Sequence, residues 1–537
     1  MRRAELVAAG ALILAAVAVR VQGLPVGPIG YDEGWAMVNG RFLIALLAHP
    51  ARLLHRHLFV LGGDLKSGHD LALGTLLAVG GTPEGLSWYS ALAGLVMAVA
   101  LAALAWRRWG APAGAVAGVI GAAAPLSVLY GHTLLAEADG LAGLAIVLLL
   151  LDRWWDRRPS QRLVMLTVLA MLATLTINYR LLPALIPLGL VAGWLGWWYR
   201  RHPWRPVVRL SRLVLACLVP AAAAAALYLS ALGLDGLGVH QVSARLHLLT
   251  RTDSSLALPF TNLDFYPRTL WEFAGPAMVV IAVAALAVLL WRRRQLDELT
   301  VLAAASLVGC LLFFSVAGVK APRAIAVLLP FAALVIARAV PLFPPLLAPP
   351  LPSPRGGGKS LLLSPWRLAL AVCVACLITG MGSTAFRAEN GTGDVGRWLA
   401  AHPGGIVATR APVFAAYTET RWDPAIGLDP AHAFVSPTAA TTIGGLRELG
   451  ARYVVVDAHA LLLSGNPVFR RLVDCGNPAI TVPDPAGWSR LMALEDADTL
   501  RRGYDAALAH RDQVLAAAGG AQTIRVYDLN GPGISGC

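Results

Sequence analysis

Hydrophobic runs close to the length that crosses a bilayer, about 17–25 residues, recur through the first 386 residues of the chain. They lie at approximately 4–22, 87–106, 113–130, 134–151, 163–178, 181–199, 210–232, 270–291, 298–318, 322–344 and 364–386. Short basic segments separate them on alternate sides. With the N-terminus placed inside, 19 Lys and Arg residues fall in the inner segments, against three (Arg180, Lys320 and Arg323) in the short outer loops. That asymmetry is the positive-inside signature. The pattern predicts a polytopic α-helical membrane protein of about eleven spans, N-terminus inside and C-terminus outside. Met1-Arg2-Arg3 ahead of the first run looks like a signal peptide. No small-residue cleavage pattern closes it, and Arg20 interrupts its end, so an uncleaved first helix is expected.

Three segments break the pattern. Residues 23–86 form a long outer loop, in which Trp35, Val38, Phe42 and Leu46 recur at helical spacing. A second such stretch runs near Ala51–Leu61, and both are expected to be amphipathic helices lying in the membrane interface. Residues 345–362 are rich in Pro and Gly and read as a linker. Residues 387–537 carry short β-branched runs (Gly405–Thr409, Tyr453–Val456, Thr523–Tyr527) between helical pieces such as Asp394–Ala401 and Ile443–Leu449. That alternation predicts a small exported α/β domain after a membrane domain of residues 1–386.

Composition agrees with this division. Of 537 residues, 57% are hydrophobic and only 14% charged, against roughly 25% charged in soluble proteins. An ordinary soluble enzyme is excluded. The net charge of +13 comes from 41 Arg and three Lys against 31 acids, yet residues 387–537 hold 13 Arg and 15 acids. The basic excess therefore belongs to the membrane part and marks sidedness and contact with membrane lipids. Nucleic acid is not an expected partner. Cys217, Cys310, Cys373 and Cys376 fall within spans, where a thiol behaves as a small apolar group. Cys475 and Cys537 are the two cysteines of the exported part, where oxidising conditions would permit a disulfide.

Three charged clusters in the outer segments could carry chemistry. Asp32 and Glu33, in Gly30-Tyr31-Asp32-Glu33-Gly34, stand at the start of the first loop helix. Asp32 could serve only as an N-cap, but paired acids beside a membrane wall are commonly functional. Glu137 and Asp139 follow Tyr130-Gly131-His132 at the start of the fourth span, where the helix dipole favours acids. The turn Val319-Lys320-Ala321-Pro322-Arg323 places two cations at a helix N-terminus, the unfavourable end for them. A bound phosphate would reverse that penalty; snorkelling to lipid headgroups is the alternative.

In order and sidedness these motifs resemble the GT-C glycosyltransferases, specifically the branch of protein O-mannosyltransferases and aminoarabinose transferases that uses polyprenyl-phosphate sugars. Tyr31-Asp32-Glu33 matches the His/Tyr-Asp-Glu of the first loop. The later His-Pro-Pro keeps only His69, followed by Asp70. The Arg-x-x-x-x-Asp after the third span falls on His132 and Glu137. The Lys-x-Pro-Arg-Tyr turn falls on Lys320, Pro322 and Arg323, with Ala324 in the Tyr position.

The resemblance implies attack of an acceptor hydroxyl on C1 of a lipid-phosphate sugar at the outer membrane face, with inversion. Asp32 would be the general base, with Glu33 and Glu137 as further catalytic carboxylates. Lys320, Arg323 and, less directly, Arg180 would hold the donor phosphate, and Tyr31, His69 and His132 would orient substrates. The acceptor could be protein, polysaccharide or lipid. No cofactor is implied, although Asp32, Glu33 and Glu137 could hold a divalent metal. The rival readings are an O-antigen ligase or polymerase, a secondary transporter, and a non-enzymatic assembly protein. A transporter would favour internal repeats and midplane charges, and neither is evident.

Overall fold

The computed structural model describes residues 3–25, 31–48, 66–202, 264–316, 322–343, 365–382, 391–404, 406–409, 411, 413–417, 440–463, 466–485, 504–517, 519, 522–534 and 537. The expected span at 210–232, the stretch Ala51–Leu61, the linker at 345–362, Cys217, Lys320 and the side chains of Tyr31 and Asp32 lie outside the described residues.

The apolar runs fold as helices close to the expected bounds. The first part of the bundle comprises α1 (Arg3–Val21), α2 (Tyr31–Ala48), α3 (Ser67–Ala78), α4 (Ser87–Trp109), α5 (Ala111–Ala123), α6 (Pro125–Gly131) and α7 (Glu137–Asp156). It continues through α8 (Gln161–Ile177), α9 (Leu182–Arg201), α10 (Phe265–Ala274), α11 (Pro276–Trp291), α12 (Glu298–Val316), α13 (Leu329–Leu342) and α14 (Pro365–Gly382). Among the described residues five helices are long and apolar enough to cross a membrane, and seven if two bent pairs each count as one span. The chain is thus a multi-pass helical bundle.

Both bends follow from local sequence. Ala124 precedes a proline and adopts extended backbone (φ −60°, ψ 146°), so α5 and α6 meet at 46°. Gly275, at φ +84°, lets α10 and α11 turn through 115° where one straight span was expected.

The first bend exposes a debt in the backbone. Pro125 has no N–H to give the Gly121 carbonyl. The Ser127 hydroxyl fills that place, and Arg20 enters from the end of α1. Arg20 is 1% exposed. Its guanidinium donates to the carbonyls of Ala91 (3.1 Å), Ala122 (3.2 Å) and Ser127 (2.9 Å). Gly94 and Gly131 make the room: a Cβ built on either would lie 1.6 Å and 2.1 Å from the guanidinium nitrogen. The residue that interrupts the first apolar run is a strut joining α1, α4 and the α5–α6 break.

The first loop holds two described helices, α2 and α3. Ala36, Met37, Val38, Asn39 and Gly40 of α2 are all buried, a full turn of helix covered on every side. Further along the helix Leu47 and Ala48 are exposed. Helix α2 packs on α3, a helix the hydrophobic pattern did not reveal, through a crossing at Gly40 and Gly74 too close for any Cβ.

The C-terminal part contains α15 (Thr392–Ala401), β1 (Ile406–Thr409), α16 (Val413–Tyr417), α17 (Ile443–Glu448), β2 (Ala451–Val456), α18 (Ala458–Leu463), α19 (Pro467–Cys475), β3 (Ile480–Pro483), α20 (Tyr504–Ala517) and β4 (Thr523–Asp528). The strands form one sheet in the order β1-β2-β4-β3, with β1 and β2 parallel and the other pairs antiparallel. Three of the strands lie where β-branched runs predicted them; β3, in the short segment Ile480-Thr481-Val482-Pro483, was missed. Cys475 at the end of α19 and the terminal Cys537 are joined, with their Cα atoms 5.7 Å apart. Cys310, Cys373 and Cys376 are buried free thiols.

This part rests on α2 and α3. Val395, Leu399, Phe414, Tyr453 and Val455 share one apolar core with Met37, Leu73, Leu77 and Leu134. At its edge the Glu84 carboxylate accepts from Arg397 (2.9 Å) and from the Tyr417 hydroxyl (3.0 Å). Burial and then the Glu84 charge push the Tyr417 hydroxyl well above its usual range, so it stays a donor.

Candidate functional site

Glu33 and the acids of the second cluster meet at one end of the bundle because three helices begin there. Helix α2 starts at Tyr31, so Asp32 and Glu33 occupy its first turn, past the N-cap position. Helix α7 starts at Glu137, with Asp139 in its first turn. Helix α4 starts at Ser87, two residues before Tyr89. Carboxylates in a first turn are favoured by the helix dipole, which explains how the chain tolerates several buried acids together.

Their links run through the short segment between α6 and α7. Glu33, 1% exposed, accepts the Leu134 N–H at 2.6 Å. The Leu134 carbonyl, on the next peptide, takes His69 Nε2 at 2.8 Å. His69 Nδ1 lies 2.8 Å from Asp139 Oδ2, which also accepts the Tyr89 hydroxyl at 2.9 Å. Asp139 Oδ1 accepts the Gly140 N–H at 3.1 Å. Burial alone would lower the His69 pKa, but the Asp139 carboxylate, followed by the Leu134 carbonyl, raises it above the ordinary imidazole value.

A second group lies beside this one. Arg180 Nη1 sits 3.4 Å from Glu137 Oε1, while Glu137 Oε2 is buried with no hydrogen-bond partner among the described residues. Asn178 caps the turn that carries Arg180 and donates to the Ala136 carbonyl at 3.2 Å. Arg323, 8% exposed, stands on the 3-10 turn Pro322–Leu328. That turn packs both on α7 and on the turn carrying Arg180. Ala324, in place of a tyrosine, is buried behind it.

The structure therefore gathers Glu33, His69, Glu137, Arg180 and Arg323 at one end. His132 is different. Its Nε2 meets the Arg20 carbonyl at the end of α1, so it ties the α6–α7 connection to the Arg20 strut. Among the described residues no group of three or more His, Cys, Asp or Glu is arranged to hold a metal ion.

Two members escaped the sequence reading. Asp139 was seen as half of an acid pair, but nothing in the sequence marked it as the partner of His69, 70 positions earlier. Tyr89 gave no signal beyond its place at the start of a span.

No protein-family model matches the sequence, and no curated protein matches it significantly. Solved structures do. ArnT from Cupriavidus metallidurans, bound to undecaprenyl phosphate, is 15% identical, with 86% of this chain and 94% of that one covered and a TM-score of 0.54. The apo state of the same protein gives 14% identity, coverage of 85% and 93%, and a TM-score of 0.49. The archaeal oligosaccharyltransferase AglB from Archaeoglobus fulgidus, in complex with an inhibitory peptide and a dolichol-phosphate, gives 12%, 90%, 73% and 0.47. The first likeness carries the comparison. At this identity the likeness is one of fold: the chain shares the fold of ArnT over most of both chains.

Proposed function

We propose that the chain is a GT-C-type glycosyltransferase that moves a sugar from a polyprenyl-phosphate donor to an acceptor hydroxyl at the outer face of the membrane. Residues 1–386 would form the catalytic membrane domain, and residues 387–537 an exported α/β domain packed over the first loop. The observation that supports this best is the convergence of Arg323, Arg180 and the open Glu137 Oε2 at the same end of the bundle as the first turn of α2.

In this reading Asp32 takes the acceptor proton as the new bond forms at C1 and the C1–O bond to phosphate breaks. General-base help of this kind contributes roughly 10²–10⁴-fold. The departing phosphate needs no proton, being a stable anion, and Lys320 and Arg323 stabilise the charge that develops on it. Single displacement inverts the anomeric centre. Glu137 Oε2 is free to accept a sugar hydroxyl while Arg180 holds its other oxygen, and Tyr31 lines the same turn as Asp32. A protein, polysaccharide or lipid could supply the hydroxyl. The test is direct binding of a polyprenyl-phosphate sugar to the full-length protein, compared with its Arg323→Ala and Lys320→Ala variants. Binding that is tight and charge-dependent fits the proposal; a protein with no affinity for that donor does not.

A further inference from the structure

His69 has no nitrogen left for a substrate. Nδ1 faces a carboxylate oxygen and Nε2 faces a carbonyl, both at 2.8 Å. A carbonyl cannot donate. Asp139 Oδ2 already accepts the Tyr89 hydroxyl and Oδ1 the Gly140 N–H, so this side chain faces Nδ1 as an acceptor. Both ring nitrogens must then donate, which only the imidazolium can do. His69 is 1% exposed, so this cation is walled in and fixed.

The segment it holds reaches directly to α2. The Leu134 residue receives His69 on its carbonyl and gives its own N–H to Glu33. Glu33 is adjacent in sequence to Asp32. We propose that His69 is a positioning residue: seated between Asp139 and the Leu134 carbonyl, it fixes the residue whose N–H anchors Glu33 and so sets the first turn of α2 that carries Asp32. This role rests on the proposed transfer reaction and replaces direct substrate contact by His69.

The charged surroundings of the imidazolium are few. On its own helix and just before it are Asp70 and Lys66, the latter opposing the positive charge. Helix α7 presents Asp139 and Glu137, α4 presents Tyr89, whose ring centroid is 6.4 Å from that of His69, and α2 brings Glu33 and Arg41. The facing α8 has Arg162 as its one charged residue, near its other end. Asp139 is the partner in direct contact, so its charge governs the proton on His69.

The full-length protein in nanodiscs tests this with two readouts. Turnover with a saturating polyprenyl-phosphate sugar should show an alkaline limb as His69 loses its proton. In Asp139→Asn, which keeps the shape of the side chain, that limb should move to lower pH. His69→Gln should turn over roughly 10- to 100-fold more slowly, as expected for a displaced catalytic group, with donor affinity within about twofold of wild type. The second readout is Tm against pH, which needs no catalysis. Because the folded pKa is raised, the contribution of His69 is complete below about pH 6.5 and is lost as pH rises through the folded value. That loss should be absent in His69→Gln. Wild-type turnover in His69→Gln, or an alkaline limb and a Tm profile unmoved in Asp139→Asn, would overturn the assignment. No transfer by the wild-type protein, with the Tm profiles still shifting as stated, would instead overturn the proposed reaction and leave the His69 linkage standing.

Discussion

Helix α7 begins with Glu137 and Asp139 and ends with Asp152 and Asp156, and the two ends treat their acids differently. At the later end each acid meets arginine directly. Arg107 and Arg108, the last turn of α4, pair with Asp152 and Asp156. Asp297 accepts the Trp109 indole N–H at 2.7 Å and lies 3.5 Å from Arg338. Those guanidinium groups are partly open to solvent. At the Glu137 end the acids are buried: Glu33 and Asp139 reach backbone, histidine and tyrosine, Glu137 meets Arg180 through one oxygen, and its other oxygen has no hydrogen-bond partner among the described residues. Paired charges on a rim fix sidedness and anchor helices. Buried charges linked through the backbone hold a shape that a ligand can complete.

Several substitutions sharpen that contrast, in order of falling effect. Gly94→Leu, beneath the Glu137 end, would push the Arg20 guanidinium off its carbonyls. Each hydrogen bond to a charged group is worth about 1.5–3 kcal/mol, so losing two of them should leave no folded protein, read as the monodisperse yield after extraction. Reduction of the Cys475–Cys537 bond removes a link across 62 positions. The chain-entropy model puts that at about 4 kcal/mol, visible as a lower Tm for unfolding of the C-terminal part.

Arg323→Ala and Lys320→Ala should weaken donor binding by roughly 10- to 150-fold, the range for one charged hydrogen bond, and leave acceptor use nearly unchanged. Normal donor binding in both would make them lipid anchors. Asp156→Asn, on the partly exposed rim at the opposite end, should change stability by less than about 1 kcal/mol and leave transfer intact. A large loss of transfer there would break the contrast between the ends.

Most helices were legible because their signal is hydrophobic length, but the breaks at Ala124 and Gly275 were not, since length alone does not record a bend. Glu33, Glu137 and Arg323 were legible as charges where the apolar pattern ends. Helix α3 was not, since Ser67–Ala78 is short and its buried residues, among them His69 and Asp70, do not form an apolar stripe. The burial of residues 36–40 of α2 was hidden too, because part of their cover comes from residues more than 350 positions later. The His69–Asp139 pair and the Arg20 strut depend on contacts across 70 to 107 positions, and no periodicity or spacing records those. What sequence does record is the anomaly: an arginine ending an apolar run, and a histidine in an apolar helix, each need a reason.

The claim that the Glu137 end is the catalytic end is tested most directly by measuring sugar transfer from a polyprenyl-phosphate donor with Asp32→Asn and Asp156→Asn side by side in nanodiscs. Asparagine keeps the shape of aspartate and removes only the base. Asp32→Asn should show no detectable transfer, with donor binding retained, and Asp156→Asn should transfer like the wild type. Wild-type turnover in Asp32→Asn would contradict it.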